Sequence, residues 1–234
     1  MPLPTLDTSK FTTTVPSTGE EIEYRPFLVK EEKILMQAQE SNDPKAILKV
    51  TKDILSSCTF GKLDVSTLAM YDVEYLFLQL RMKSVGEVAN IKLKCSECGE
   101  YTKYDLDLSE VQVTYPKKKV DNKIQLTDKV GVILKPISVD DAGEISAEAE
   151  EKQLIWGIAA SIDTVYDEKS TYSLSDFSEK EVTDFVESLN RSQLEKIQEF
   201  VTNQPTLSHT IKFKCEKCGH ENTITLTGLQ SFFT

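Results

Sequence analysis

Four of the five cysteines fall in two Cys-x-x-Cys-Gly turns far apart in the chain. The first reads Lys92-Leu93-Lys94-Cys95-Ser96-Glu97-Cys98-Gly99, the second Lys212-Phe213-Lys214-Cys215-Glu216-Lys217-Cys218-Gly219. A two-residue gap lets one tight turn present two sulfurs, and four soft thiolates suit one tetrahedral Zn²⁺. Glycine after the second cysteine permits a positive φ. Cys95, Cys98, Cys215 and Cys218 are therefore the candidate metal ligands, with Lys92, Lys94, Lys212, Lys214 and Lys217 placed to offset the net charge of a four-thiolate site. If the turns share one ion, the second closes 116 intervening residues against the first.

Other chemistries fit less well. A redox pair needs a cysteine at a helix N-terminus in a βαβ setting, and neither turn has one. A catalytic zinc keeps one position open for water, whereas four cysteines close the shell. His220 stands next to Gly219 and is read as a solvent-facing strand residue rather than a ligand; His209 has no partner motif. Cys58 ends an apolar helical pattern and reads as a small buried hydrophobe. Phosphate loops, nucleophile elbows and His-Glu-x-x-His are absent from the sequence. Asp140-Asp141 and Glu150-Glu151 read as a solvated charged run. No enzyme is expected, and the zinc is expected to be structural.

The elements around the turns follow from periodicity. Phe11 to Val15 and Ile22 to Pro26 flank the turn Pro16-Ser17-Thr18-Gly19 as a hairpin. Helices are expected from Val29 to about Ser41, after an Asp43-Pro44 start, and from Tyr71 to Lys83 on the stripe Val73, Leu76, Phe77 and Leu80. Alternation predicts strands at Val88 to Lys94 and Tyr101 to Leu108, then at Lys123 to Leu126 and Val130 to Lys135. Asp140 to Glu151 is expected to be exposed, its tail opening a helix through Leu154, Ile155, Ile158 and Ile162, with Trp156 as a core or interface anchor. Residues 163–177 read as a polar loop. Ser178 and Glu181 form a capping box, and a further helix carries Leu194, Ile197, Phe200 and Val201. Thr210 to Lys214 and Asn222 to Leu226 are the last strands, followed by the exposed-looking aromatics Phe232 and Phe233.

The expected fold is α+β: a helical body with a split four-cysteine zinc ribbon whose two knuckle hairpins come together from distant parts of the chain. Its parts are an N-terminal hairpin plus helices (1–87), two ribbon halves (88–110 and 207–234), and a β segment with a helical insertion (111–206), together one composite domain. The likeness of the two halves suggests an internal duplication.

The 234 residues carry 38 acidic and 27 basic side chains, a formal net charge of −11, with 39% hydrophobic residues. Such a balance opposes nucleic-acid binding, which calls for a basic face, and suits a protein that meets other proteins. No apolar run approaches the ~20 residues of a membrane span. The N-terminus lacks a signal core, so a cytoplasmic location is expected.

Three stretches carry a family resemblance. They are Met1-Pro2-Leu3-Pro4 with Pro16-Ser17-Thr18-Gly19 and Tyr24 to Lys33; Cys58 to Asp64 with Tyr75 to Arg81 and Ser84-Val85-Gly86-Glu87; and Phe213 to Asn222 with Leu229-Gln230-Ser231-Phe232-Phe233. With these the chain resembles the baseplate hub assembly proteins of T-even-type contractile-tailed bacteriophages, over nearly its whole length and least specifically over 110–180. The resemblance implies a part in building the baseplate hub, as a component or as an assembly factor that leaves. It implies other baseplate and tail hub proteins as partners, no enzymatic activity, and a place in the host cytoplasm during assembly or in the virion baseplate. The contrasting reading is a zinc-ribbon protein associated with nucleic acid, such as a transcription accessory factor. Oligomeric state stays open.

Overall fold

Threonine-rich Phe11–Thr14 (β1) pairs antiparallel with Glu21–Tyr24 (β2), sending Ile22 and Tyr24 inward. Three helices follow: Val29–Glu40 (α1), Pro44–Cys58 (α2) and Met70–Ser84 (α3). The computed structural model describes residues 7–41, 43–118, 120–145 and 150–228. Asp43 caps α2 by accepting the Lys45 N–H at 3.0 Å, with Pro44 in the first turn, as its sequence predicts. At the start of α1 the Glu31 carboxylate accepts the Leu28 N–H at 2.7 Å and takes both ends of the Arg25 guanidinium at 2.7 and 2.9 Å. The pair is nearly out of solvent, with 11% and 7% of the two side chains exposed.

The third helix joins two cores. Val73, Leu76, Phe77 and Leu80, the stripe its periodicity shows, pack with Ile22, Tyr24, Ile54, Leu55 and Cys58. A second stripe, Leu78 and Met82, packs with the β elements that follow. A helix apolar on two faces is an internal helix. Those β elements are Val88–Lys94 (β3) and Tyr101–Asp107 (β4), paired from Val88 opposite Asp107 to Lys94 opposite Tyr101.

The region beyond β4 departs from its sequence expectation in four places. Gln112–Thr114 forms a strand (β5) that periodicity over three residues does not reveal. Lys123–Gln125 (β6) and Gly131–Leu134 (β7) pair as expected, and Asp140, exposed as expected, opens a helix that the sequence does not reveal. Val139–Ile145 is a helix (α4). It is started by Ser138, whose hydroxyl donates to the Asp141 carboxylate at 2.7 Å and accepts the Asp141 N–H at 3.1 Å, and Val139 is fully buried beside α2 and α3. After Glu150–Ser161 (α5), Ile162 belongs to a strand, Ile162–Tyr166 (β8), rather than to the helix. The expected loop at 163–177 is mainly a hairpin. Thr171–Ser173 (β9) returns along β8 around Asp167, which accepts the Lys169 and Ser170 N–H groups at 2.7 and 2.8 Å. An exposed edge strand needs no apolar alternation, so its sequence looks like loop.

Ser178 and Glu181 form the expected box at the start of Glu179–Glu187 (α6), and Asn190 with Gln193 repeats it at Arg191–Thr202 (α7). Four helices thus stand between the small β segment and the last hairpin among the described residues, not three. Sheet β6-β7-β8-β9 and helices α5 to α7 close a third core around Ile124, Val132, Ile158, Ile197 and Phe200. Trp156 is half-buried on α5.

Thr206–Lys214 (β10) and Glu221–Thr227 (β11) end the described chain. β10 begins four residues before its predicted start because its first residues pair with β5, Thr206 opposite Thr114. Phe232 and Phe233 lie outside the described residues. Among those described, no helix is long and apolar enough to cross a membrane.

The Arg25–Glu31 pair makes a testable point. Burial pushes the Glu31 carboxyl up, but the Arg25 guanidinium, the Leu28 N–H and the Ser57 hydroxyl outweigh it and hold the pKa at about 2, below its ordinary 4.5. A depressed carboxylate contributes stability above its unfolded pKa and loses it as the pH falls through the folded one. Glu31→Gln, which strands a buried guanidinium, is expected to lower stability by about 3 kcal/mol at pH 7. That deficit should shrink between pH 4.5 and 2 in urea titrations.

Candidate metal centre

Each knuckle is built by its own hairpin. Cys95 follows the last residue of β3, and its N–H donates to the Glu100 carbonyl at 2.8 Å; the Gly99 N–H returns to the Cys95 carbonyl at 3.0 Å. Cys215 repeats both bonds, with His220 and Gly219, at 2.9 Å each. Gly99 and Gly219 sit at φ 72° and 73°, the left-handed region that the spacing anticipates. Lys94 and Lys214 arch over them, their Cε atoms 3.9 and 3.7 Å from where a Cβ would stand. The first cysteine of each turn is buried and the second exposed.

The two hairpins belong to separate sheets, yet their apolar faces share one core: Ile91, Leu93 and Leu106 from one, Ile211 and Phe213 from the other, under Leu78 of α3. That packing brings the four sequence-predicted cysteines together. Their Sγ atoms all lie within 4.8 Å of one another. Across the knuckles, Cys95 Sγ stands 3.7 Å from Cys218 Sγ and Cys98 Sγ 3.6 Å from Cys215 Sγ. A disulfide requires about 2.05 Å. A tetrahedron with metal–sulfur bonds of about 2.3 Å has edges of about 3.8 Å, so the donor set fits a thiolate-bound ion.

The electrostatics agree. The Cys98 N–H, against the effect of burial and with help from the Glu97 N–H, holds the Cys95 thiol at about 6. The Cys218 N–H chiefly lowers Cys215 in the same way. At Cys218 the His220 N–H pulls down, but burial and the sulfurs of Cys98, Cys215 and Cys95 push harder, to about 12. Three sulfurs thus disfavour ionisation of the fourth, a penalty that a divalent cation removes. Lys217 forms an ion pair with Glu100 across the two turns.

Other sequence candidates stay apart. His220 is exposed and lies in the turn just before β11, contributing its backbone to the knuckle. His209 is half-buried in β10, 3.6 Å from Glu110. Cys58 is buried in the first core, where burial and then the Glu31 charge push its thiol up to about 12. Two residues of the site are absent from the sequence reading of the ligands. Thr102 and Asn222 each stand four places after a second cysteine, and both are buried polar residues at inward strand positions. The Asn222 amide reaches across to Ser96 and Cys95. An inward-facing polar residue in an otherwise apolar alternation is the signal that marks them.

Comparison with known proteins adds a family and a relative. A family profile described as "T4 bacteriophage base plate protein" matches residues 8–234. The baseplate hub assembly protein gp26 of Enterobacteria phage T4 is 24% identical over 212 residues, covering 91% of this chain and 92% of the relative. No solved structure matches the chain.

The knuckle glycines give a direct check on this geometry. Gly219→Ala forces a side chain into left-handed backbone at a cost of about 1–2 kcal/mol. The thermal midpoint should fall accordingly, while a glycine-to-alanine change at Gly157, on α5 with open space around it, should leave stability equal or higher.

Proposed function

We propose a function from one premise: the chain belongs to the T4 bacteriophage base plate protein family. It serves tail morphogenesis as a baseplate hub component or hub assembly factor, acting by protein–protein contact around a structural zinc site. The observation that carries this reading is the match over 8–234, together with a relative named as a hub assembly protein along 92% of its length. Its partners are other baseplate and tail hub proteins. It acts in the host cytoplasm during assembly, and in the virion baseplate if it stays as a component.

The metal is zinc, held by Cys95, Cys98, Cys215 and Cys218. Among soft cations, Zn²⁺ takes four thiolates in a closed tetrahedron. When bound, the ion offsets half of the thiolate charge and cross-links the two hairpins. Residues 88–110 and 207–234 are then the halves of one ribbon, with 1–87 as an N-terminal body and 111–206 as an insertion closed off by the clasp. A filled shell leaves no position for water, which supports a non-enzymatic role. The nucleic-acid reading is not favoured: a net charge of −11 repels phosphate.

Metal analysis of the purified chain should give about one zinc per molecule. A clip that closes a loop of this length is worth about 5 kcal/mol. Chelation, or Cys215→Ser, should therefore lower the unfolding free energy by about that amount; unchanged stability would sink the clasp. The role is tested in infected cells. Tagged protein should capture hub proteins at intermediate times. Presence in finished virions then means component, and absence means departing assembly factor. Failure to capture tail proteins would overturn the proposal.

A further inference from the structure

The two knuckle hairpins are related by a shift of 120 residues, which sets Cys95 on Cys215, Gly99 on Gly219 and Thr102 on Asn222. Both members of the last pair face inward, at 5% and 4% exposure. Their contacts are unequal. Thr102 Oγ1 accepts one long bond, from the Glu216 N–H at 3.5 Å. Asn222 Oδ1 accepts two, from the Ser96 N–H and the Ser96 hydroxyl, at 2.9 Å each. Its Nδ2 donates to the Cys95 sulfur at 3.5 Å and to the His220 carbonyl at 3.1 Å.

Every polar site of that amide is used. Its orientation is forced, because the Ser96 N–H can only donate and the His220 carbonyl can only accept. Three of the four contacts cross from the second hairpin to the first. Both halves have a knuckle turn, but among the described residues only the second carries a side chain that both grips the opposite knuckle and donates to a ligand sulfur. We infer that Asn222 is the positioning residue of the metal centre: it registers one knuckle on the other and orients the Cys95 sulfur for the ion. This rests on the reading that the four cysteines hold zinc. Groups that hydrogen-bond and orient metal ligands commonly set affinity by about 10- to 100-fold.

The test uses the full chain and measures Zn²⁺ affinity by competition with a chromophoric chelator. The Co²⁺-substituted absorption spectrum serves as a report on sulfur geometry and donor strength. Asn222→Thr makes the second half like the first, with a side chain fit for a strand but too short to reach Ser96 and Cys95 together. Zn²⁺ binding is expected to weaken between about 10- and 100-fold, with a shifted sulfur-to-cobalt band. Asn222→Asp keeps the acceptor for Ser96 and loses the donor to Cys95; it is expected to weaken binding and move the same band, and it carries the test if the threonine variant fails to fold. Thr102→Val removes only the long contact and should change affinity less than about threefold. Wild-type affinity and spectrum in either Asn222 variant would overturn the inference. Absence of metal binding by the unaltered protein would instead overturn the zinc reading beneath it.

Discussion

The seating of one β-hairpin on another, across more than a hundred residues, is the contact on which the rest of the structure depends. Before it forms, the chain between Gly99 and Lys214 is a long loop, and closing a long loop costs entropy that no local contact returns. Several interactions offset it together. The faces of β3-β4 and β10-β11 bury Ile91, Leu93, Leu106, Ile211 and Phe213 against each other and against α3. β5 continues from the first hairpin into the sheet of the second. Asn222 and the four sulfurs finish the junction at its tip. With that seat made, β6 to β9 and α5 to α7 need only fold on themselves, around their own core.

Polar groups enter the interior at few points, and two of them are fully surrounded by partners. Glu31 is enclosed by Arg25, the Leu28 N–H and Ser57; Asn222 spends all its hydrogen bonds between the knuckles. Buried and satisfied groups of this kind add less to net stability than apolar packing of the same volume, but they penalise every misregistered alternative. That suits a junction of two similar hairpins, where a shifted pairing would bury similar apolar faces. The Arg25–Glu31 pair has the same character at the N-terminal body, where it ties the end of β2 to the start of α1 beside the buried Cys58.

A protein with the proposed role in the baseplate has to present a defined surface to other proteins. The sulfurs sit at the tip of the hairpin pair, with Cys98 and Cys218 near solvent, where the proposed ion would stiffen that tip. A net charge of −11 attracts surfaces of opposite charge.

Several features were legible from residues alone because their causes are local. The knuckles follow from a two-residue gap and a glycine; the starts of α2 and α6 follow from Asp43-Pro44 and from Ser178 with Glu181; the alternation of Val88 to Lys94 follows from one buried face. The hairpin within residues 163–177 and the helix at Val139–Ile145 were not legible, since an edge hairpin and a polar-started helix carry little apolar periodicity and are stabilised by what they pack against. β5, the second stripe of α3 and the role of Asn222 belong to the tertiary structure altogether: a three-residue strand, a leucine with a methionine, and one amide mean nothing until a distant element lies opposite them. The sequence by itself thus determined which side chains could hold an ion and which local turns present them. Only the folded chain decided that the two turns face each other at tetrahedral spacing, because that distance is set by long-range apolar packing and not by either turn.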